Sequence, residues 1–201
     1  MSRRTAIRQA LTDRNEGLFA LAVLAITGFY FVTAVFGGRH LLHAGYLYLN
    51  DIFSGIDLER TVRSLSEPGY FDRNNVHPLF IPLFRPFGLL IQQLGITRGT
   101  SAVIVNAAAG GAGMLLMAVY LRLRGVRRLN AALLVWLMGA CSSMSIGMCF
   151  PDTDLFALCV IGLSFLWLAW VLMHPLPPEA SRVRRWGRQA LWLVLGVLDY
   201  G

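Results

Sequence analysis

Charge is scarce in this sequence. Only 14% of its 201 residues are charged, where a soluble globular domain carries about a quarter, and 56% are hydrophobic, with a mean hydropathy of +0.57. That balance excludes an ordinary water-soluble domain and points to a membrane protein. Lysine is missing altogether: all 18 basic residues are arginines, set in clusters between apolar runs. Such clusters suit loops that face anionic lipid. They do not make the contiguous basic face of a nucleic-acid-binding domain, so no nucleic-acid partner is expected. Cysteine is sparse as well. Cys141, Cys149 and Cys159 all fall inside apolar runs, which fits packed thiols rather than a disulfide framework or a metal site.

What the chain does contain is a series of long apolar runs. A bilayer core of about 30 Å takes roughly 20 helical residues. Runs 17–38, 99–121, 129–150 and 155–173 have that reach and hold no charged residue, and a fifth run begins at 189 and stops at 201, with Asp199 near its end. The expected fold is all-α: a polytopic transmembrane helical bundle forming a single membrane domain, the N-terminal part of a longer chain. Arg3, Arg4, Arg8 and Arg14 precede the first run, which is longer than the apolar core of a secretion signal. This reads as an uncleaved first helix with a cytoplasmic N-terminus, in a multi-pass protein of the plasma (inner) membrane.

Between the first two full runs lies a polar interval, 39–98, with Asp51, Asp57, Glu59, Glu67 and Asp72, five of the eleven acidic residues of the chain. Its later part, 76–95, is apolar but carries Arg85 at its middle and Pro78, Pro82 and Pro86 at every fourth residue. Interior prolines remove helix hydrogen bonds, and a central Arg in lipid costs at least about 2.5 kcal/mol. The segment is therefore expected to be a juxtamembrane or re-entrant helix with Pro86 near its first turn. Loop charge agrees. If 76–95 does not cross, the loops with Arg122, Arg124, Arg127 and Arg128 and with Arg182, Arg184, Arg185 and Arg188 both fall inside, as the positive-inside tendency requires. The short link Pro151-Asp152-Thr153-Asp154 then shares the outer side with the polar interval.

That placement lets carboxylates from distant parts of the sequence meet above the membrane: Asp51, Asp57 and Asp72 from one loop, Asp152 and Asp154 from another. Such groups serve as general bases, metal ligands or anchors for sugar hydroxyls. His43 and His77 add ligands or proton carriers, and Arg73 and Arg85 suit a lipid phosphate. Each also has a plainer reading. The acids are ordinary solvated residues, Asp57 and Glu59 pair with Arg60 or Arg63, and His77 merely precedes a proline. Within the spans, small residues four apart such as Ala109 and Gly113 allow close helix packing, and Asn106 suits an interhelical hydrogen bond.

The motifs Asn50-Asp51, Phe53-Ser54-Gly55-Ile56-Asp57, His77-Pro78-Leu79-Phe80 and Pro151-Asp152-Thr153-Asp154, in this topological order, resemble the GT-C superfamily of polytopic glycosyltransferases, which includes protein mannosyltransferases and aminoarabinose transferases. The resemblance implies transfer of a sugar from a polyprenyl-phosphate-linked donor to an acceptor on the extracytoplasmic side. It implies catalytic roles for Asp57 or Asp51 and for Asp152 or Asp154, and a lipid-phosphate site among Arg85, Arg73 and His77. A divalent cation, magnesium or manganese, is the cofactor it allows, with Asp57 and Asp152 as candidate ligands. Asn50-Asp51 stands where relatives carry two adjacent acids. The alternative is a non-catalytic membrane protein, a transporter or an assembly partner that binds through its outer loop.

Overall fold

The structure is a computed structural model that describes residues 14–43, 58–70, 80–151, 154–176 and parts of 181–194. It is an all-α bundle, with no strand among the described residues. The helices are α1 (Arg14–His43), α2 (Leu58–Ser66), α3 (Phe80–Gln92), α4 (Arg98–Leu123), α5 (Arg128–Ala140), α6 (Ser142–Cys149) and α7 (Asp154–Met173).

Three of these, α1, α4 and α7, are long and apolar enough to cross a membrane. Their apolar residues do not all turn inward. Leu18, Leu21, Leu24, Phe29 and Phe36 of α1 are more than half exposed, a pattern that suits a lipid environment. The bundle is organised around α4, the most buried of the three, which makes its largest contacts with α7 and α1. Small residues explain that position. A Cβ on Gly110 would stand 2.6 Å from Met148, and one on Gly113 would stand 2.9 Å from Leu158, so neighbouring helices approach the α4 backbone directly.

The run 129–150 is not the straight span its composition suggests. It breaks at Cys141, whose backbone is extended (φ −60°, ψ 133°), and α5 and α6 meet at 60°. The sequence around the break, Gly139-Ala140-Cys141-Ser142-Ser143, combines glycine with paired serines, a usual origin of sharp kinks. The Ser145 hydroxyl donates to the freed carbonyl of Gly139 at 2.6 Å, and the backbone N–H of Cys141 still reaches Leu137 at 3.0 Å.

Contacts along the bundle show that the bent pair makes one passage. At one end, Glu16 of α1 meets Arg122 and Arg128. Midway, the Tyr30 ring lies against Gly139, and the Tyr30 hydroxyl donates to the Trp136 carbonyl at 3.3 Å. At the far end Gly38 lies against Val103 and the Cys149 carbonyl. The α5–α6 pair thus climbs beside α1 from end to end. Leu155, Leu158, Gly162 and Phe165 of α7 then descend beside Gly110, Gly113, Leu116 and Tyr120 of α4. Helix α1 and helix α6 both end toward the side marked by Gly38 and Cys149, where Glu67 also meets Arg98 at the start of α4. The arginine-rich 122–128 turn lies at the opposite end.

The segment 76–95 is described from Phe80 onward. Helix α3 has 13 residues, about 20 Å at 1.5 Å per residue and short of a bilayer core. It starts earlier than expected. Pro82 occupies the first turn, where a missing N–H is harmless, while Pro86 lies inside the helix. Tertiary contact outweighs the hydrogen bond lost there. Phe80 and Phe84 pack on Phe156 of α7 with ring centroids 4.8 and 4.2 Å apart, and a Cβ on Gly88 would collide with the Leu65 carbonyl.

Candidate functional site

Helices α2 and α3 form a hairpin against α4 at the Gly38–Cys149 end of the bundle. Helix α2 is short and amphipathic. Glu59 in its first turn and Arg63 in its last complement the helix dipole, and Thr61, Val62, Ser64, Leu65 and Ser66 are buried. A nine-residue helix is marginal alone, so its ends need partners from elsewhere in the fold.

Helix α3 supplies them. Arg85 is 8% exposed, and its Nε donates to the Ser64 carbonyl at 2.7 Å while a terminal nitrogen donates to the Tyr70 carbonyl. Gln92 Nε2 donates to the Ser66 carbonyl at 3.1 Å. These carbonyls belong to the last turn of α2 and the turn after it, the groups that a helix end leaves without intrahelical donors. Burial lowers the Arg85 pKa from its ordinary value, yet a guanidinium stays protonated at neutral pH. The positive charge therefore remains, held next to the carbonyl dipoles.

The exposed side of the hairpin carries a second link. Arg63 Nε bonds Glu67 at 2.8 Å, its guanidinium lies 4.2 Å from the Tyr70 ring centroid, and Arg98 at the start of α4 stands 3.8 Å from Glu67. The bond from Arg63 is the largest influence on Glu67 and holds its carboxyl below the usual range. In return the same bond raises the Arg63 pKa. Arg63 thus pairs with Glu67.

Most of the expected catalytic residues lie outside the described residues: Asp51, Asp57, Arg73, His77 and Asp152, together with Asp72. Asp154 opens α7, and its side chain, like that of His43, is also outside them. What is fixed is where their chain neighbours stand. His77 is three residues before Phe80, and Asp154 two before Phe156, and those two rings touch. Pro151 is fully buried, and Leu155 packs beside Gly110, well inside the length of α4. Leu155 is consequently set back from the end of α4, and Phe156 lies against the start of α3. The described residues include no group of three or more His, Cys, Asp or Glu able to hold a metal ion. The proposed cation ligands, Asp57 and Asp152, fall outside that set.

Two features of the fold escaped the sequence. The capping roles of Arg85 and Gln92 depend on a hairpin partner that no local pattern specifies. The break at Cys141 did leave a local signal, the Gly139 to Ser143 composition, which overall apolarity obscured. Asn106 is the opposite case: its side chain reaches the end of α6, as an interhelical donor should. Cys149 and Cys159 are half-buried and Cys141 is exposed, all three as free thiols.

Comparison with known proteins finds no matching family model, no matching curated protein and no matching solved structure.

Proposed function

We propose that this chain acts as a membrane glycosyltransferase that moves a sugar from a polyprenyl-phosphate carrier to an acceptor at the extracytoplasmic surface. The observation that carries this reading is the contact of Phe80 with Phe156. It brings the helix that follows the first acidic stretch of the sequence against the start of α7 within an apolar bundle, the setting a lipid-linked donor requires. In the proposed reaction a carboxylate, Asp57 or Asp51 with Asp152 or Asp154, accepts the proton of the acceptor hydroxyl. The acceptor oxygen bonds to the anomeric carbon as the bond from that carbon to the carrier phosphate breaks, and the phosphate leaves with the electron pair. Arg73 and His77 are the candidates to meet that phosphate. Arg85, already bonded to the Ser64 and Tyr70 carbonyls, contributes its charge from within the hairpin.

Transfer of sugar from a polyprenyl-linked donor by the full-length protein tests the mechanism. Loss of transfer in Asp57→Asn or Asp51→Asn supports it, and full activity in both variants removes it.

One observation favours the non-catalytic alternative. Transporters build their sites at broken helices, and the α5–α6 pair is broken. Against this, the carbonyls around the break and at the end of α6 already accept hydrogen bonds from Ser145 and Asn106, so they are engaged within the fold. Uptake of a solute into proteoliposomes, abolished by Ser145→Ala, would favour transport over transfer.

A further inference from the structure

The end of the bundle opposite the hairpin holds a second concentration of chemistry. Glu16 accepts hydrogen bonds from Arg122 and, at 2.9 Å, from Arg128. The Arg122 guanidinium stands 5.7 Å from the Phe19 ring centroid, and its buried Nε–H has no acceptor among the described residues. Arg124 and Arg127 are exposed on the same turn. Among the described residues this turn therefore sets four arginines against one glutamate.

Beside it, a cleft of about 330 Å³ opens between α1 and α5. Leu18, Phe19, Ala22 and Ala132 form its apolar wall, and Asn15 and Arg128, at the first turns of their helices, form its polar end. Asn15 to Ala22 is a rise of roughly 10 Å along α1. The cleft thus runs from a cationic rim into apolar surface.

We propose that this cleft is a binding site for an anionic phospholipid, with the phosphate at Arg128 and the neighbouring arginines and one acyl chain along Phe19, Ala22 and Ala132. Charge complementarity selects the headgroup, because basic clusters at the ends of membrane helices draw anionic lipid. The apolar wall selects a lipid over free phosphate, which would leave Leu18, Phe19 and Ala132 uncovered. Arg128, which lines the cleft with its side chain partly exposed, suits the phosphate because a guanidinium can present paired N–H donors to phosphate oxygens. The site stands apart from the transferase reading and does not depend on it.

Native mass spectrometry of the purified full chain, released from micelles containing either phosphatidylglycerol or phosphatidylcholine, tests this. Selective retention of phosphatidylglycerol is expected, weakened about fivefold in Arg128→Gln, the effect of one basic residue near an anionic surface. Because Arg128→Gln also disturbs the Glu16 pair, Ala132→Phe provides an independent probe: it fills the cleft with every charge in place and should weaken retention to a similar degree. Arg39→Gln, exposed at the opposite end of α1, should leave retention unchanged, and an equal loss there would count against the site. Equal retention of the two lipids by the wild type, or unchanged phosphatidylglycerol retention in Ala132→Phe, overturns the proposal.

Discussion

Asn106 on α4 holds the end of α6: the two N–H groups of its Nδ2 are shared among the carbonyls of Gly147, Met148 and Phe150 at 2.7, 3.2 and 3.0 Å. The side chain is fully buried. The carbonyls it meets are those a helix end leaves without intrahelical donors, and in an apolar interior no water replaces them. One amide thus closes the last turn of a broken span, directly before Pro151 and the acidic link.

Asn106→Leu should keep the branched shape, lose the donors and crowd the carbonyls they met, lowering stability by at least about 1–2 kcal/mol. Asn106→Asp should be worse at neutral pH, since an ionised carboxylate would face three carbonyl oxygens. Denaturant unfolding in micelles gives the order. An Asn106→Leu variant as stable as the wild type would show that these bonds contribute nothing net.

Arg85 makes a parallel prediction in the hairpin. Arg85→Met leaves the Ser64 and Tyr70 carbonyls without that donor and should cost about 1.5–3 kcal/mol, the range for hydrogen bonds to charged groups. Because Lys cannot reproduce the forked geometry, Arg85→Lys should recover only part of the loss. Hydrogen exchange should localise the effect, with faster exchange over 58–70 and little change in α7. Uniform change across the bundle would contradict a role confined to the hairpin.

The Arg63–Glu67 link predicts a pH dependence. Glu67 has a lowered folded pKa, so whatever stability it contributes is complete above the unfolded carboxylate value and fades as pH falls through the folded one. The pair is partly exposed, so the effect should be small. The melting temperature of Glu67→Gln should lie slightly below that of the wild type at pH 7. The gap should close as the pH drops below the ordinary carboxylate range, about 4. A gap that widens in acid would reverse the assigned sign.

The sequence made the apolar helices legible because length without charge has few other uses, and the exposed apolar surface of α1 is the physical counterpart of that reading. The proline-spaced segment was legible as holding a helix, and α3 is short of a bilayer core, but the start of that helix was not legible. Pro86 sits inside α3 because Phe80, Phe84 and Phe156 pack together, and such tertiary contacts leave no mark in local propensity. Asn106 could be read as an interhelical donor, since a lone amide in an apolar run has few other roles, but its acceptors, more than 40 residues away in sequence, could not. The candidate site is less legible still. Asp57, Asp51 and Asp152 were chosen by residue type and loop placement, and the described structure fixes the frame around the 77–80 and 151–156 stretches rather than those carboxylates.

The central claim is that the first acidic loop and the 151–154 link share one face of the membrane, opposite the arginine-rich turn. Single cysteines at Pro68, Arg124 and Thr153, in full-length protein lacking Cys141, Cys149 and Cys159, can be probed on intact cells with a membrane-impermeant thiol reagent. Pro68 is preferable to its neighbour Ser66, which is buried. Labelling at positions 68 and 153 with protection at 124 is the predicted result. Labelling at 124 with protection at 153 would separate the two acidic loops and leave the proposed transferase without its site.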